Sequence, residues 1–232
     1  MCFSTEASFA SGTLISLVGA ATLPQVRDKR EVLLASLPLL FGLHQFAEGL
    51  VWLMLEHRIS PTVGQAAKWF YIFFAEALLP TLSPLSLLLI EPSRNRRRLL
   101  AGLAALGFGL SIFAFVRLLT TSVEVRIVHH SVEYQDAVAT TMAFAVLYVI
   151  ATCGPLLAAS DPWIVTFGVL NLVALLLAAL FKALAFTSVW CAVAAMLSVF
   201  IFLHFRRLRR RERWTSPDLA ASASLYHASD RS

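Results

Sequence analysis

Apolar residues along this chain arrive in long unbroken blocks, not in the three-and-four rhythm of a surface helix. Seven such blocks stand out: Ala7–Leu23, Val32–Leu55, Ala66–Ile90, Leu99–Thr120, Ala137–Ala159, Trp163–Phe181 and Phe186–Phe205. A helix needs about 20 mostly apolar residues to cross roughly 30 Å of hydrocarbon, and each block is near that length. Short polar segments join them, apart from the longer Thr121–Asp136, and a polar stretch begins at Arg206. The pattern predicts an all-α fold, a polytopic bundle of seven transmembrane helices over residues 1–205. A polybasic tail over residues 206–232, rich in Ser and Ala toward its end, is expected to be disordered. In Thr121–Asp136, partial alternation over Val123–Tyr134 leaves a short hairpin and an extension of the fourth span equally open.

Composition agrees. Hydrophobic residues make up 58% of the 232 and charged residues 14%, where a soluble domain has about 45–50% and 25%. A water-soluble enzyme, a coiled coil and a disordered chain are excluded. The net charge of +5 suggests nucleic acid only until the cations are located. They cluster at Arg27–Arg30, Arg94–Arg98 and Arg206–Arg213, each beside an apolar block. That is membrane-flanking charge, and no nucleic-acid partner is expected. Of the Lys and Arg residues, 14 fall on one side of the seven blocks and 5 on the other. The richer side is read as cytoplasmic, with the N-terminus outside, the C-terminus inside and the chain in the plasma (inner) membrane. Arg206–Arg213 can bind anionic lipid headgroups, although its ordinary role as an orientation determinant suffices to explain it; an oligomeric state is not legible.

Only Glu6 is charged before the first block, so that block reads as an anchor and not as a signal peptide. Its Ser8, Ser11, Gly12, Ser16 and Gly19 form a small-residue stripe suited to close helix contact. Trp52, Trp69, Phe70, Tyr71 and Trp190 fall near the predicted outer interface and Trp163 near the inner one, where aromatic rings anchor helices.

Ionisable side chains inside a span cost roughly 2.5–3.5 kcal/mol each, so they turn toward protein or water and often mark function. Span two holds His44, Gln45 and Glu48, followed by Trp52; His44 and Glu48 share one helical face. Span three adds Glu76. Glu48 lies roughly 10 Å inside the outer end of its span by helical rise, and His44 near the midplane. Two carboxylates on neighbouring antiparallel helices in low dielectric cannot both ionise freely; one holds a proton, or a cation sits between them. The plainer reading is that these residues hydrogen-bond neighbouring helices as polar glue. Pro38, Pro80 and Pro84 each remove a backbone donor nearby, which frees carbonyls as in cavity-lining broken helices or simply bends the helix. Gly154-Pro155 marks a similar break in span five, or simply ends that helix.

On the outer side, Cys2, Cys191, Lys182 and the pair His129 and His130 gather. Cys2 and Cys191 are placed to form a disulfide or to bind a soft metal, although Cys191 equally suits a small buried hydrophobe. No spacing matches a zinc motif, so no metal is assigned, and nothing identifies a cofactor.

Three segments carry a resemblance: Met1-Cys2-Phe3-Ser4 with Ala7-Ser8-Phe9, Gln45-Phe46-Ala47-Glu48-Gly49 with Trp52, and Ser188-Val189-Trp190-Cys191. They resemble an uncharacterised family of short bacterial membrane proteins, a domain of unknown function with about seven predicted helices over nearly the whole chain. The resemblance implies architecture and no activity, and it directs attention to Cys2, Gln45, Glu48, Trp190 and Cys191. His44 and Ala192 depart from the family pattern. Pro24-Gln25 is similar to the dipeptide of PQ-loop transporters, but Pro155-Leu156 lacks the second copy. Alkaline ceramidase-type hydrolases need a histidine pair in the last helix, where this chain has His204 alone.

The leading functional expectation is a multi-pass membrane protein handling a small ligand, proton or cation at His44, Gln45, Glu48 and Glu76. The alternatives are a non-catalytic assembly or sensory subunit, and a membrane-embedded enzyme with an outer-leaflet Cys or metal site at Cys2 and Cys191.

Overall fold

A computed structural model describes residues 4–128, 131–135, 141–181 and 193–215. Its elements run α1 (Thr5–Thr22), α2 (Val32–Leu55), α3 (Pro61–Ile72), α4 (Leu79–Ile90), α5 (Arg94–Thr120), strands β1 (Glu124–Val128) and β2 (Ser131–Gln135), α6 (Met142–Ala158), α7 (Pro162–Phe181) and α8 (Val199–Thr215). A π-helical turn, Phe73–Leu78, joins α3 to α4, and residues 193–197 are helical as well. Among the described residues, four helical runs are long and apolar enough to cross a membrane: Thr5–Gln25, Lys29–Leu55, Pro61–Ile90 and Arg94–Thr120. Met142–Ala158 and Pro162–Ala178 are apolar but shorter. Their outward faces carry Leu14, Leu17, Phe108, Phe113, Val116 and Leu176, all exposed. Apolar side chains turned outward along whole helices suit a lipid surround, where a soluble fold would keep such patches small.

Side-chain caps explain where the helices start. The Ser4 hydroxyl accepts from Ala7 N at 3.2 Å, and Thr141 does the same for Phe144 N. Asp28 and Glu31 form a reciprocal capping box ahead of α2. At the other end of α2, His57 adopts the left-handed conformation (φ 57°). It lets Arg58 N reach Leu53 O (2.8 Å) and His57 N reach Met54 O (3.0 Å), satisfying carbonyls the helix would otherwise strand.

α1 and α2 lie antiparallel at short range. A Cβ added at Gly19 would sit 2.4 Å from Leu39 N, and one at Gly42 would sit 2.2 Å from Ser16 Oγ. The small-residue stripe therefore does what its spacing predicts: it lets two backbones approach closely.

The hairpin reading of Val123–Tyr134 is the one adopted. β1 and β2 pair with Val125 opposite Tyr134 and Arg126 opposite Glu133. Arg126 Nε donates to Glu133 Oε2 at 2.9 Å, which raises the guanidinium pKa. Val132 and Ser131 are buried against the helices, and Lys68 Nζ donates to Val123 O (2.9 Å) at the foot of the hairpin. These two strands are the departure from an all-α chain.

Three further expectations change. Pro155 does not end its helix; α6 continues through it to Ala158. Trp52 and Tyr71 are buried among core residues rather than exposed at an interface, whereas Trp69 and Phe70 are exposed as expected. The boundary drawn at Arg206 falls inside α8, so the cationic run continues a helix as far as Thr215.

Two apolar clusters make up the interior. One joins Val51, Trp52, Tyr71, Leu110, Leu118 and Phe144. The other joins Leu34, Phe41, Phe74, Leu87, Leu100 and Ile164. Along α2 the change from one to the other falls between Phe41 and Ala47, and along α3–α4 members of the two interleave between Ile72 and Leu79. His44, Gln45 and Glu76 occupy that boundary.

Candidate functional site

α2 positions most of the polar residues. His44, Gln45, Glu48 and Trp52 are all buried, and the four-residue steps from His44 to Glu48 to Trp52 run up one stripe of the helix. The His44 ring lies flat on Tyr71, with centroids 3.9 Å apart and planes 14° apart. Phe74 flanks it at 4.9 Å. The opposite face of Tyr71 carries Tyr134 of the hairpin at 4.7 Å and 7°. An aromatic column thus runs from β2 to the level of His44.

Gln45 faces α1. The Ser11 hydroxyl stands 3.3 Å from Gln45 Oε1 and 3.0 Å from Ser8 O, so its one proton is shared. Several buried polar atoms have no hydrogen-bond partner among the described residues: both ring nitrogens of His44, Nε2 of Gln45, Nε1 of Trp52 and Oγ of Ser8. Leaving a buried donor or acceptor unsatisfied costs about 1–3 kcal/mol. Such a group of orphans is where water or a ligand belongs.

Glu76 is held differently. Pro80 lacks the N–H that would reach back to Glu76 O in an α-helix. The chain responds with the π turn, in which Leu79 N–H bonds Phe74 O, five residues back. Ala75 O, which Leu79 N–H would otherwise have satisfied, is left over. The Tyr148 hydroxyl of α6 donates to it. The side chain of Glu76, at the middle of this turn, is buried. π turns of this kind recur at functional sites because they re-aim one side chain without breaking the helix.

A further freed carbonyl governs packing. Pro84 cannot donate to Pro80 O, and that oxygen lies against Gly107 of α5, where an added Cβ would come within 1.9 Å. The sequence showed the prolines but not what accepts the consequences.

A second polar assembly escaped the sequence reading. Glu91, buried at the C-terminal end of α4, accepts from Ser160 N (3.0 Å), Ser160 Oγ (2.5 Å) and Ser93 N (3.0 Å). Arg96 donates to Ala158 O at 3.1 Å. Beside them, a cavity of about 370 Å³ is bounded by Leu87, Glu91, Asp161, Ile164, His204 and Arg207 among others. His204 Nδ1 stands 3.1 Å from Asp161 Oδ1, which also accepts from Trp163 N. A smaller void of about 30 Å³, the size of one water, is lined by Ser83, Thr152 and Asn171 among apolar neighbours. Neither cavity wall includes His44, Gln45, Glu48 or Glu76.

Cys2, Cys191, Trp190, Lys182, His129 and His130 lie outside the described residues. Among those described, no group of three or more His, Cys, Asp and Glu side chains is placed to hold a metal ion.

No curated protein and no solved structure matches the chain. A family model does, over residues 1–216. This helical chain, with its apolar outward faces and its buried acids, belongs to the family of unknown function DUF6629.

Proposed function

We propose that the chain is a seven-span protein of the plasma (inner) membrane, N-terminus outside and C-terminus cytoplasmic. In this reading it handles a small ligand, proton or cation at a mid-depth site built from His44, Gln45, Glu48 and Glu76. The orientation rests on the Lys and Arg asymmetry. The site rests on one observation above all: the buried acid Glu76 shares the boundary between two apolar cores with a histidine whose two ring nitrogens have no hydrogen-bond partner among the described residues, and buried Glu48 follows that histidine by one turn of α2. Purely structural glue would be expected to use its donors and acceptors. His44 leaves both unused.

The chemistry follows from the residue types. A carboxylate in low dielectric exchanges charge only with a proton or a cation beside it, and imidazole can share that proton. The prolines and the π turn supply the irregular backbone that accompanies midplane sites in transporters. In proteoliposomes carrying a pH-sensitive dye, this reading expects pH-dependent proton or cation flux that Glu48→Gln abolishes. Flux in that variant equal to the natural chain's removes the site.

The second reading, a non-catalytic assembly or sensory subunit, draws support from polar bonds between helices, Ser11 with Gln45 and Thr5 with Glu56 (2.9 Å). Recovery of a stoichiometric partner in mild detergent, with no flux, would favour it. An enzyme built on Cys2 and Cys191 has no described residue behind it.

A further inference from the structure

The face of α8 carrying Arg206, Arg209 and Arg210 bounds a cleft of about 340 Å³ whose remaining wall is Gln25, at the end of the 3₁₀ turn Leu23–Gln25 that finishes α1. From the arrangement of these four side chains we infer that the cleft binds the phosphate of an anionic phospholipid in the inner leaflet.

Arg209 builds the site. Its NH2 group donates to Pro24 O and its Nε to Gln25 O at 3.4 Å. These carbonyls end α1, where the chain leaves acceptors unfilled and the helix dipole is negative. The guanidinium is therefore fixed against α1 and neutralises that end, and its remaining N–H groups are free to meet an anion. Gln25 is fixed too, because its Nε2 donates to Ala21 O at 2.8 Å. Arg206 and Arg210 stand three residues before and one after Arg209, on the same side of the helix. Both are exposed. No hydrogen bond or ion pair to either one occurs among the described residues. Three guanidinium groups and no acid line the cleft. Planar guanidinium forks suit phosphate oxygens.

The choice of a lipid over a soluble phosphate rests on what lies above. The same helix whose end forms the wall turns Leu14 and Leu17 outward, each more than 60% exposed, and these suit acyl chains. A headgroup in the cleft would have its tails along that face. A guanidinium bonded directly to a phosphate gains at least the ~1 kcal/mol that a cation gains near an anionic surface, so losing two such contacts corresponds to about thirtyfold in affinity.

The test is native mass spectrometry of the whole protein, released from a mild detergent supplied with phosphatidylglycerol, phosphatidylcholine or inorganic phosphate. Arg206→Gln/Arg210→Gln removes two of the cleft's three cations while leaving Arg209 and the α1 contact in place. Arg97→Gln/Arg98→Gln removes the same charge from exposed positions elsewhere on the inner side. The expected result is a phosphatidylglycerol adduct about thirtyfold weaker in the first variant and nearly unchanged in the second, with phosphatidylcholine poorly retained by both. Equal losses in the two variants would overturn the cleft in favour of a diffuse field. Inorganic phosphate displacing the lipid completely at low millimolar concentration would overturn the lipid assignment. Thermal unfolding of both variants checks that neither has lost its fold.

Discussion

Gly107 offers a sharp test of how α4 and α5 pack. Replacing it with Ala places a methyl 1.9 Å from Pro80 O and 2.7 Å from Pro80 C. A carbon and a carbonyl oxygen in ordinary contact stand about 3.3 Å apart or more, so the shortfall is roughly 1.4 Å. The obstacle is backbone, fixed between two prolines, and cannot rotate away as a side-chain tip would. Overpacking of this kind costs about 1–3 kcal/mol, and the rigidity of the obstacle points to the upper part of that range. For a chain of this length each kcal/mol moves the melting temperature by about 2–4 °C. The same helix provides its own controls. Gly102 and Gly109 have nothing within 4 Å of an added Cβ. Gly102→Ala and Gly109→Ala should leave stability unchanged or raise it slightly, since Ala is the better helix former. The assay is thermal unfolding of the purified variants in one detergent, followed by loss of the monodisperse peak on size exclusion. If Gly107→Ala melts with the two controls, the close passage of α5 across the freed carbonyl is wrong.

Other expectations are as direct. Tyr148→Phe strands Ala75 O inside the bundle and should cost about 1–3 kcal/mol, read by the same melting assay; an unchanged midpoint would mean the π turn does not depend on α6. Glu91→Gln retains the shape of the clamp at the C-terminal end of α4 but halves its acceptors, and should cost about 1–2 kcal/mol while speeding proteolysis between α6 and α7. His57→Gly keeps the left-handed conformation but removes the Cβ that disfavours it, and should raise stability by up to about 1 kcal/mol. A fall in stability would show that the imidazole itself holds that turn.

How far the sequence reached depends on which features are local. α2 begins and ends at the residues its apolar block predicts, Val32 and Leu55, because an uncovered polar residue on either side fixes both ends. The small-residue stripe of α1 was readable for the same reason: backbone approach requires particular residues at particular steps. Burial of His44, Gln45, Glu48 and Glu76 followed from the cost of placing them against lipid. What was hidden needed partners far along the chain. Glu91 looks like an ordinary interfacial acid until Ser160, 69 residues later, closes on it. Pro155 looked like a helix end because Gly-Pro so often is one, yet the helix runs on to Ala158. Trp52 looked like an interfacial ring because of its depth, but its place on the stripe with His44 and Glu48 turns it inward. The π turn was invisible, since Pro80 announces a missing donor without saying which residue shifts to make up for it.

The hairpin's Tyr134 and the buried His44 are the two ends of one stack, with Tyr71 between them at 4.7 Å and 3.9 Å. Rings in face-to-face contact resist tilting into one another, so a tilt of the imidazole is expected to displace Tyr71 and, through it, the strand. The β-ribbon thereby becomes a gauge for events deep inside the bundle: a reporter fixed on Ile127, which is exposed, is expected to register a displacement of the His44 ring without touching it.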